Sequence, residues 1–260
     1  MSREEGPVEG LAQWAQRVPG PRATLVTVHG GLDRGRSFAR IARRLPDWDV
    51  VTYDRRGYQS SRALGVGTVE DHVRDLRSVI DRERHRHDAP IVALGHSFGG
   101  VVVLGALTAA SDLVAGAVLY EAPLPWILSR TDHRTIPATA GNRAAELFFK
   151  HVMSAAAWER LSDTERHSRQ MDGPALLSDL GALEGPVPFD VTTLDVDVIY
   201  AYGHWERTPY YRELGTRVAA LTDAICFVEV GDARHDAHLR RPEALAALAR
   251  QALEDACASA

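Results

Sequence analysis

Pro90-Ile91-Val92-Ala93-Leu94-Gly95-His96-Ser97-Phe98-Gly99-Gly100-Val101-Val102-Val103-Leu104 is the stretch that decides the fold. Gly95-x-Ser97-x-Gly99 stands between an apolar β run and an apolar helical run. It reads as a sharp strand-to-helix turn that lifts one side chain above the sheet edge. Such a turn presses two backbones together, so the residues two before and two after the lifted side chain must be small. Gly95 and Gly99 meet that need, and Gly100 adds room. Ser97 is then expected in a strained conformation at a helix N-terminus, where exposed N–H groups and the helix dipole favour developing negative charge. A serine placed in this way is a candidate nucleophile.

Working outward, apolar or β-branched runs at 24–28, 50–53, 91–94, 114–120, 196–202 and 225–230 alternate with helical patterns. The helical patterns fall at 38–45, 69–86, 100–110, 210–221 and 243–256. This alternation predicts an α/β fold with a mostly parallel central sheet and helices on both faces. The second helical pattern opens with Thr68-x-x-Asp71, close to a capping box, and its Val69, Val73, Leu76, Val79 and Ile80 make one buried stripe. Residues 124–188 break the alternation. They show helical patterns at 144–157, 164–171 and 174–183, with Pro123 and Pro125 at the entry and Gly185-Pro186-Val187-Pro188 at the exit. The expected organisation is one core, 1–123 and 189–260, with 124–188 inserted as a helical cap.

Composition narrows the function classes. A chain of 260 residues with a net charge of −5 and ordinary hydrophobic content suits one large globular domain or two small ones and gives no hint of nucleic-acid binding. The basic residues are almost all arginine, Lys150 being the only lysine, and are interspersed with acids. Cys226 and Cys257 form no metal or disulfide pattern. The polar N-terminal residues carry no secretory stretch, and no apolar run is long enough to span a membrane, so a cytoplasmic protein is expected.

An activated serine needs a base, an orienting acid and donors for an oxyanion. His235 is the first of the chain's 11 histidines past the final β run and is preferred to His238 as the base. Glu206 is the first carboxylate after the 196–202 run and is the preferred acid, with Asp232 and Glu121 as lesser candidates. The backbone N–H of Phe98 is one expected oxyanion donor. The other is expected from His29-Gly30-Gly31-Leu32, with Gly31 chosen and Leu32 as the neighbouring possibility. Trp126, Phe148, Trp158 and Trp205 are candidates to line an apolar substrate pocket.

With these segments placed, the chain resembles the α/β-hydrolase fold superfamily, in its serine-nucleophile esterase and lipase-like branch, over nearly its whole length. Val28-His29-Gly30-Gly31 is similar to the superfamily's H-G-x segment, and Gly95–Gly100 matches its elbow. Tyr53-Asp54-Arg55-Arg56-Gly57-Tyr58-Gln59-Ser60-Ser61 is similar to its D-x-R-G-x-G-x-S loop. His235-x-x-His238-x-x-x-Pro242 resembles its H-x-x-H-x-x-x-P ending. Three departures stand out. Gln59 replaces a glycine, Glu206 replaces the commoner aspartate in a segment one residue shorter, and Arg234 precedes the histidine where glycine is common. The resemblance implies hydrolysis of a small-molecule ester or related acyl bond through an acyl-enzyme, with no metal or organic cofactor. It also implies no nucleic-acid or membrane partner. Thioester, lactone or C–C hydrolysis, acyl transfer and perhydrolysis use the same parts, and the fold also serves as a non-enzymatic small-molecule receptor. The oligomeric state is open.

Overall fold

The computed structural model describes residues 1–129, 136–185, 189–205 and 208–254. In it the glycine-rich stretch is a strand, Ile91–His96, followed after Ser97 by a helix, Phe98–Ala109. In chain order the strands are β1 (Ser2–Glu5), β2 (Ala12–Gln16), β3 (Thr24–Val28), β4 (Asp49–Tyr53), β5 (Ile91–His96), β6 (Gly116–Tyr120), β7 (Val198–Gly203) and β8 (Ile225–Val230). The helices are α1 (Ala39–Ala42), α2 (Val69–Arg84), α3 (Phe98–Ala109), α4 (Arg143–Val152), α5 (Ala155–Glu159), α6 (Asp163–Met171), α7 (Gly173–Leu183), α8 (Thr208–Ala219), α9 (Ala237–Arg240) and α10 (Pro242–Leu253).

One sheet runs β1-β2-β4-β3-β5-β6-β7-β8. Strands β3 to β8 pair in parallel, while β1 and β2 join antiparallel at one edge. Side-chain alternation sends Leu25, Val92, Leu94, Ile199 and Ala201 to one face, against α1 and α10. Val26, Val28, Ala93, Tyr200 and Tyr202 go to the other, against α2, α3 and α8. Burial on both faces is why these strands are apolar almost throughout. The capping box of α2 is realised: the Asp71 N–H donates to Thr68 Oγ1, and the Thr68 N–H donates to Asp71 Oδ2.

Three details differ from the sequence reading. Strands β1 and β2 were not expected, because Ser-Arg-Glu-Glu and Ala-Gln-Trp-Ala-Gln lack β-branched residues. The charged β1 suits a sheet edge, where it discourages pairing with another chain. The 38–45 pattern is a 3-10 turn, Gly35–Phe38, followed by the short α1. The 144–157 pattern breaks into α4 and α5, with the Ser154 hydroxyl accepting from the Ala157 N–H at the start of α5.

Between β6 and β7 the described residues form four α-helices and no strand. This helical insertion has a small apolar cluster of its own, in which Ala144, Ala145 and Leu176 pack with Leu32 of the sheet edge. Pro186, Val187 and Pro188, the expected exit, lie outside the described residues, as does Cys257. No described helix is long and apolar enough to cross a membrane.

Candidate active site

The parallel strands all end on one side of the sheet, where the loops after β3, β5, β6, β7 and β8 meet. After β5, Ser97 has φ 53° and ψ −127°, a left-handed conformation that a serine adopts only under constraint. The constraint comes from contact. A Cβ on Gly99 would collide with the Val28 carbonyl oxygen, and one on Gly95 would fall 2.5 Å from Gly100 Cα. One on Gly30 would fall 2.8 Å from Ser97 Cβ. The Ser97 N–H donates to the Tyr120 carbonyl at 2.8 Å, tying the turn to the end of β6.

The next residue along β6 is Glu121, fully buried and also left-handed, with φ 47°. Its Oε2 lies 2.6 Å from His235 Nδ1. Its Oε1 accepts from the Gly203 N–H at 3.0 Å and from the Trp205 indole N–H at 2.7 Å. Both carboxylate oxygens are therefore occupied, and the His235 ring is held with Nδ1 toward Glu121, which leaves Nε2 as its other polar atom. The loop that carries His235 is pinned twice more. The Tyr120 hydroxyl donates to the Arg234 carbonyl at 2.9 Å, and His96 Nε2 donates to the His235 carbonyl at 2.7 Å. Burial, with His238 and His235 nearby, holds the His96 imidazole well below its ordinary range, so it stays neutral in this role.

Ser97, Phe98, Gly31 and His235 line one cavity of about 110 Å³, together with Phe148, Leu176 and Leu180 of the insertion. Gly31 is small because Leu176 sits against it; an added Cβ would meet Leu176 Cδ1 at 2.9 Å. The loop that carries Gly31 is fixed by Arg55. The Arg55 N–H donates to His29 Nε2, and Arg55 Nε donates to the His29 carbonyl, both at 2.9 Å. His29 Nδ1 in turn donates to the Gly30 carbonyl at 2.7 Å. Desolvation, then the Arg55 charge, drives His29 down to about 3, so this imidazole is a neutral strut.

These features are those of a known family, and comparison with known proteins agrees. The model of the alpha/beta hydrolase family matches residues 25–248. The chain belongs to the alpha/beta hydrolase family. A curated relative, lipase LipV of Mycobacterium tuberculosis, is 33% identical over 103 residues, a match spanning 40% of this chain and 38% of LipV. Among solved structures, a thermophilic esterase from Thermogutta terrifontis superposes with a TM-score of 0.70 at 20% identity, covering 99% of this chain and 100% of the other. The enol-lactonase from Burkholderia xenovorans LB400 superposes with a TM-score of 0.70 at 19% identity, covering 96% and 99%. At those identities the two structures establish the fold.

Within this fold, the site residues expected from sequence fall in different places. Ser97, His235, Phe98 and Gly31 come together around one cavity. Glu206 lies outside the described residues. The carboxylate on His235 is that of Glu121, which follows β6, one strand earlier than the segment favoured by sequence. Of the four pocket candidates, Phe148 lines the cavity. Trp126 packs edge-on to Phe189 at 6.4 Å, Trp158 is buried against Phe149 at 5.4 Å, and Trp205 serves Glu121 through its indole N–H. Trp158 of α5 is thus part of the insertion's own packing, while half-buried Trp126 packs with Phe189 against the main apolar core.

Two further contacts join the insertion to the hydrolase core. Asp179 of α7 receives both Arg55 Nη atoms, at 3.0 and 2.6 Å, and the Tyr58 hydroxyl at 2.6 Å, all buried. Burial would raise the Asp179 carboxyl, but the Arg55 guanidinium, with His72, holds it below the usual carboxylate range. Asp172 accepts from the Gln59 N–H at 3.1 Å and from Arg62 Nε at 2.6 Å. Gln59 has φ 43°, so the position where the resemblance leads one to expect glycine adopts glycine's conformation here, braced by Asp172. Elsewhere, Asp33, His96 and His238 each place one potential metal-ligand atom within 4.8 Å of the others. Asp33 is engaged there already, accepting from Ser37 Oγ at 3.0 Å and lying 3.1 Å from His238 Nε2.

Proposed function

We propose that this protein is a serine hydrolase of the carboxylesterase type, cleaving a small-molecule ester or related acyl bond. The observation that carries this reading is the 2.6 Å contact of His235 with buried Glu121, beside a left-handed Ser97 on the same cavity. Ser97 attacks the acyl carbonyl while His235 Nε2 takes its proton. Glu121 holds the imidazole in the required tautomer and stabilises the imidazolium. The oxyanion rests on the backbone N–H groups of Phe98 and Gly31. His235 then protonates the departing alkoxide, and a water activated by the same imidazole releases the acid. The helical insertion acts as the cap, and its Phe148, Leu176 and Leu180 receive the acyl chain.

The test is hydrolysis of p-nitrophenyl butyrate by the wild type and by Ser97→Ala. The expected loss in kcat is about 10⁴- to 10⁶-fold, as for other activated serines. A Ser97→Ala protein that keeps the wild-type rate overturns the reading.

A further inference from the structure

A second, larger cavity of about 530 Å³ opens beside the candidate active site, a size suited to a small-molecule ligand. Its walls carry Arg34, Arg36, Arg40 and Arg43 from the segment after β3, and Arg169 from α6 of the insertion. Among the described residues, none of these five guanidinium groups lies within ion-pair distance of a carboxylate. The two acids on the same walls are turned to local duties. Glu165 caps α6 through Ser162, and Asp33 holds Ser37 and faces His238. A chain whose net charge is −5 thus concentrates net positive charge in one concavity, five arginines against two acids.

The cleft is joined to the reaction centre. Leu32, Asp33, Arg169 and Leu239 line both it and an intermediate cavity of about 190 Å³ that also includes Ser97 and His235. That cavity shares Ser97, His235, Gly31 and Phe148 with the apolar chamber under the insertion. Ser97 therefore stands between an apolar space and an arginine-lined one. Arg169 sits at the junction, where its Nη1 donates to the Leu32 carbonyl at 2.7 Å, beside the loop that supplies Gly31. Guanidinium groups recognise phosphate oxygens in pairs, and several together select for more than one phosphate charge.

We propose that the arginine-lined cleft binds the leaving-group half of the substrate, and that this half is an alcohol or thiol carrying at least two phosphate charges. The proposal rests on Ser97 being the nucleophile and deepens that reading. The acyl part enters the apolar chamber and the phosphates the cleft. The carbonyl carbon gains a bond to Ser97 Oγ and loses its bond to the leaving oxygen or sulfur, which takes the proton that His235 removed from Ser97. Water then returns the acid and the free serine.

The experiment compares kcat/KM for butyryl-coenzyme A and for S-butyryl-N-acetylcysteamine, which share the scissile bond and differ in phosphates. Binding of adenosine 3′,5′-bisphosphate is measured by calorimetry alongside, independently of any turnover. The expected result is a preference of at least about tenfold for the phosphorylated thioester and bisphosphate binding that weakens with salt. In the Arg36→Ser/Arg43→Ser double variant the preference and the bisphosphate affinity should each fall by about tenfold or more. Bisphosphate binding with neither thioester turned over still supports the site and points to an oxygen ester. Equal rates on the two thioesters with no bisphosphate binding overturn the cleft proposal and leave Ser97 standing. Bisphosphate binding in a protein whose Ser97→Ala variant keeps full esterase activity instead overturns the reading of Ser97.

Discussion

At the sheet edge, Ser97 and Glu121 follow directly on the ends of adjacent strands, and both take left-handed conformations, Ser97 among close backbone contacts. In the insertion the attachment is different in kind. Its helices meet the core through side chains: a small apolar cluster, and the carboxylates of Asp179 on Arg55 and of Asp172 on Gln59 and Arg62. Hydrogen bonds such as Arg169 to the Leu32 carbonyl and Ser178 to the Gly67 carbonyl add to these, with the packing of Ala182 and Leu183. The proposed reacting groups Ser97 and Glu121 are thus placed by strand register, while the proposed substrate wall is placed by side-chain contacts. Such a division lets the pocket change without disturbing the reacting groups.

The largest effect expected at the sheet edge short of losing the serine is that of Glu121→Gln. It keeps the shape but cannot stabilise the imidazolium, and kcat should fall by about 10³- to 10⁴-fold. Glu206→Gln should stay close to the wild-type rate, because His235 Nδ1 is already engaged by Glu121 Oε2. A severe loss at Glu206 with a mild one at Glu121 would reverse the assignment of the acid. The insertion should answer in stability instead. Asp179→Ala leaves Arg55 buried and unpaired, and should cost about 3–5 kcal/mol in urea denaturation. The double replacement Arg55→Met/Asp179→Leu should cost much less. Equal losses in the two variants would mean that shape, and not charge, joins the insertion to the core.

A smaller effect should follow from pH. His29, His72 and His96 are all held below the ordinary imidazole range, burial being the largest cause in each. Between the ordinary value near 6.5 and the His29 value of about 3, the unfolded chain binds more protons than the folded one. Their contribution is therefore complete above the ordinary value and is lost as pH falls below it. Asp179, whose folded carboxyl is depressed, adds a loss only at more acid pH. The urea midpoint should drop between pH 7.5 and pH 5; a flat midpoint over that range would contradict neutral, buried struts.

The sheet edge was legible in the sequence because its constraints are local. Gly95, Gly99 and Gly30 are fixed by steric contacts, and such contacts leave glycines at set spacings. The parallel strands showed as largely apolar or β-branched runs because most of them are buried on both faces. The carboxylate on His235 was harder to place. Glu121 lies at the end of β6 where a strand-end acid is ordinary, and only the third dimension brings it to a loop 114 residues further on. The Arg55 hub was harder still, since the D-R-R-G-Y-Q loop reads as structural and its partner Asp179 is one acid among many in a helical pattern. The aromatic residues of the insertion could not be sorted into core and wall, because periodicity marks a buried face but not what it faces.

The central claim is that Ser97 is an activated nucleophile, and its most direct test is labelling with a fluorophosphonate, read by peptide mass spectrometry. The folded wild type should be modified on the peptide that carries Ser97, Glu121→Gln should be modified far more slowly, and Ser97→Ala should not be modified there at all. Labelling that is undiminished in Ser97→Ala, or a folded wild type that takes up no label, would contradict the account.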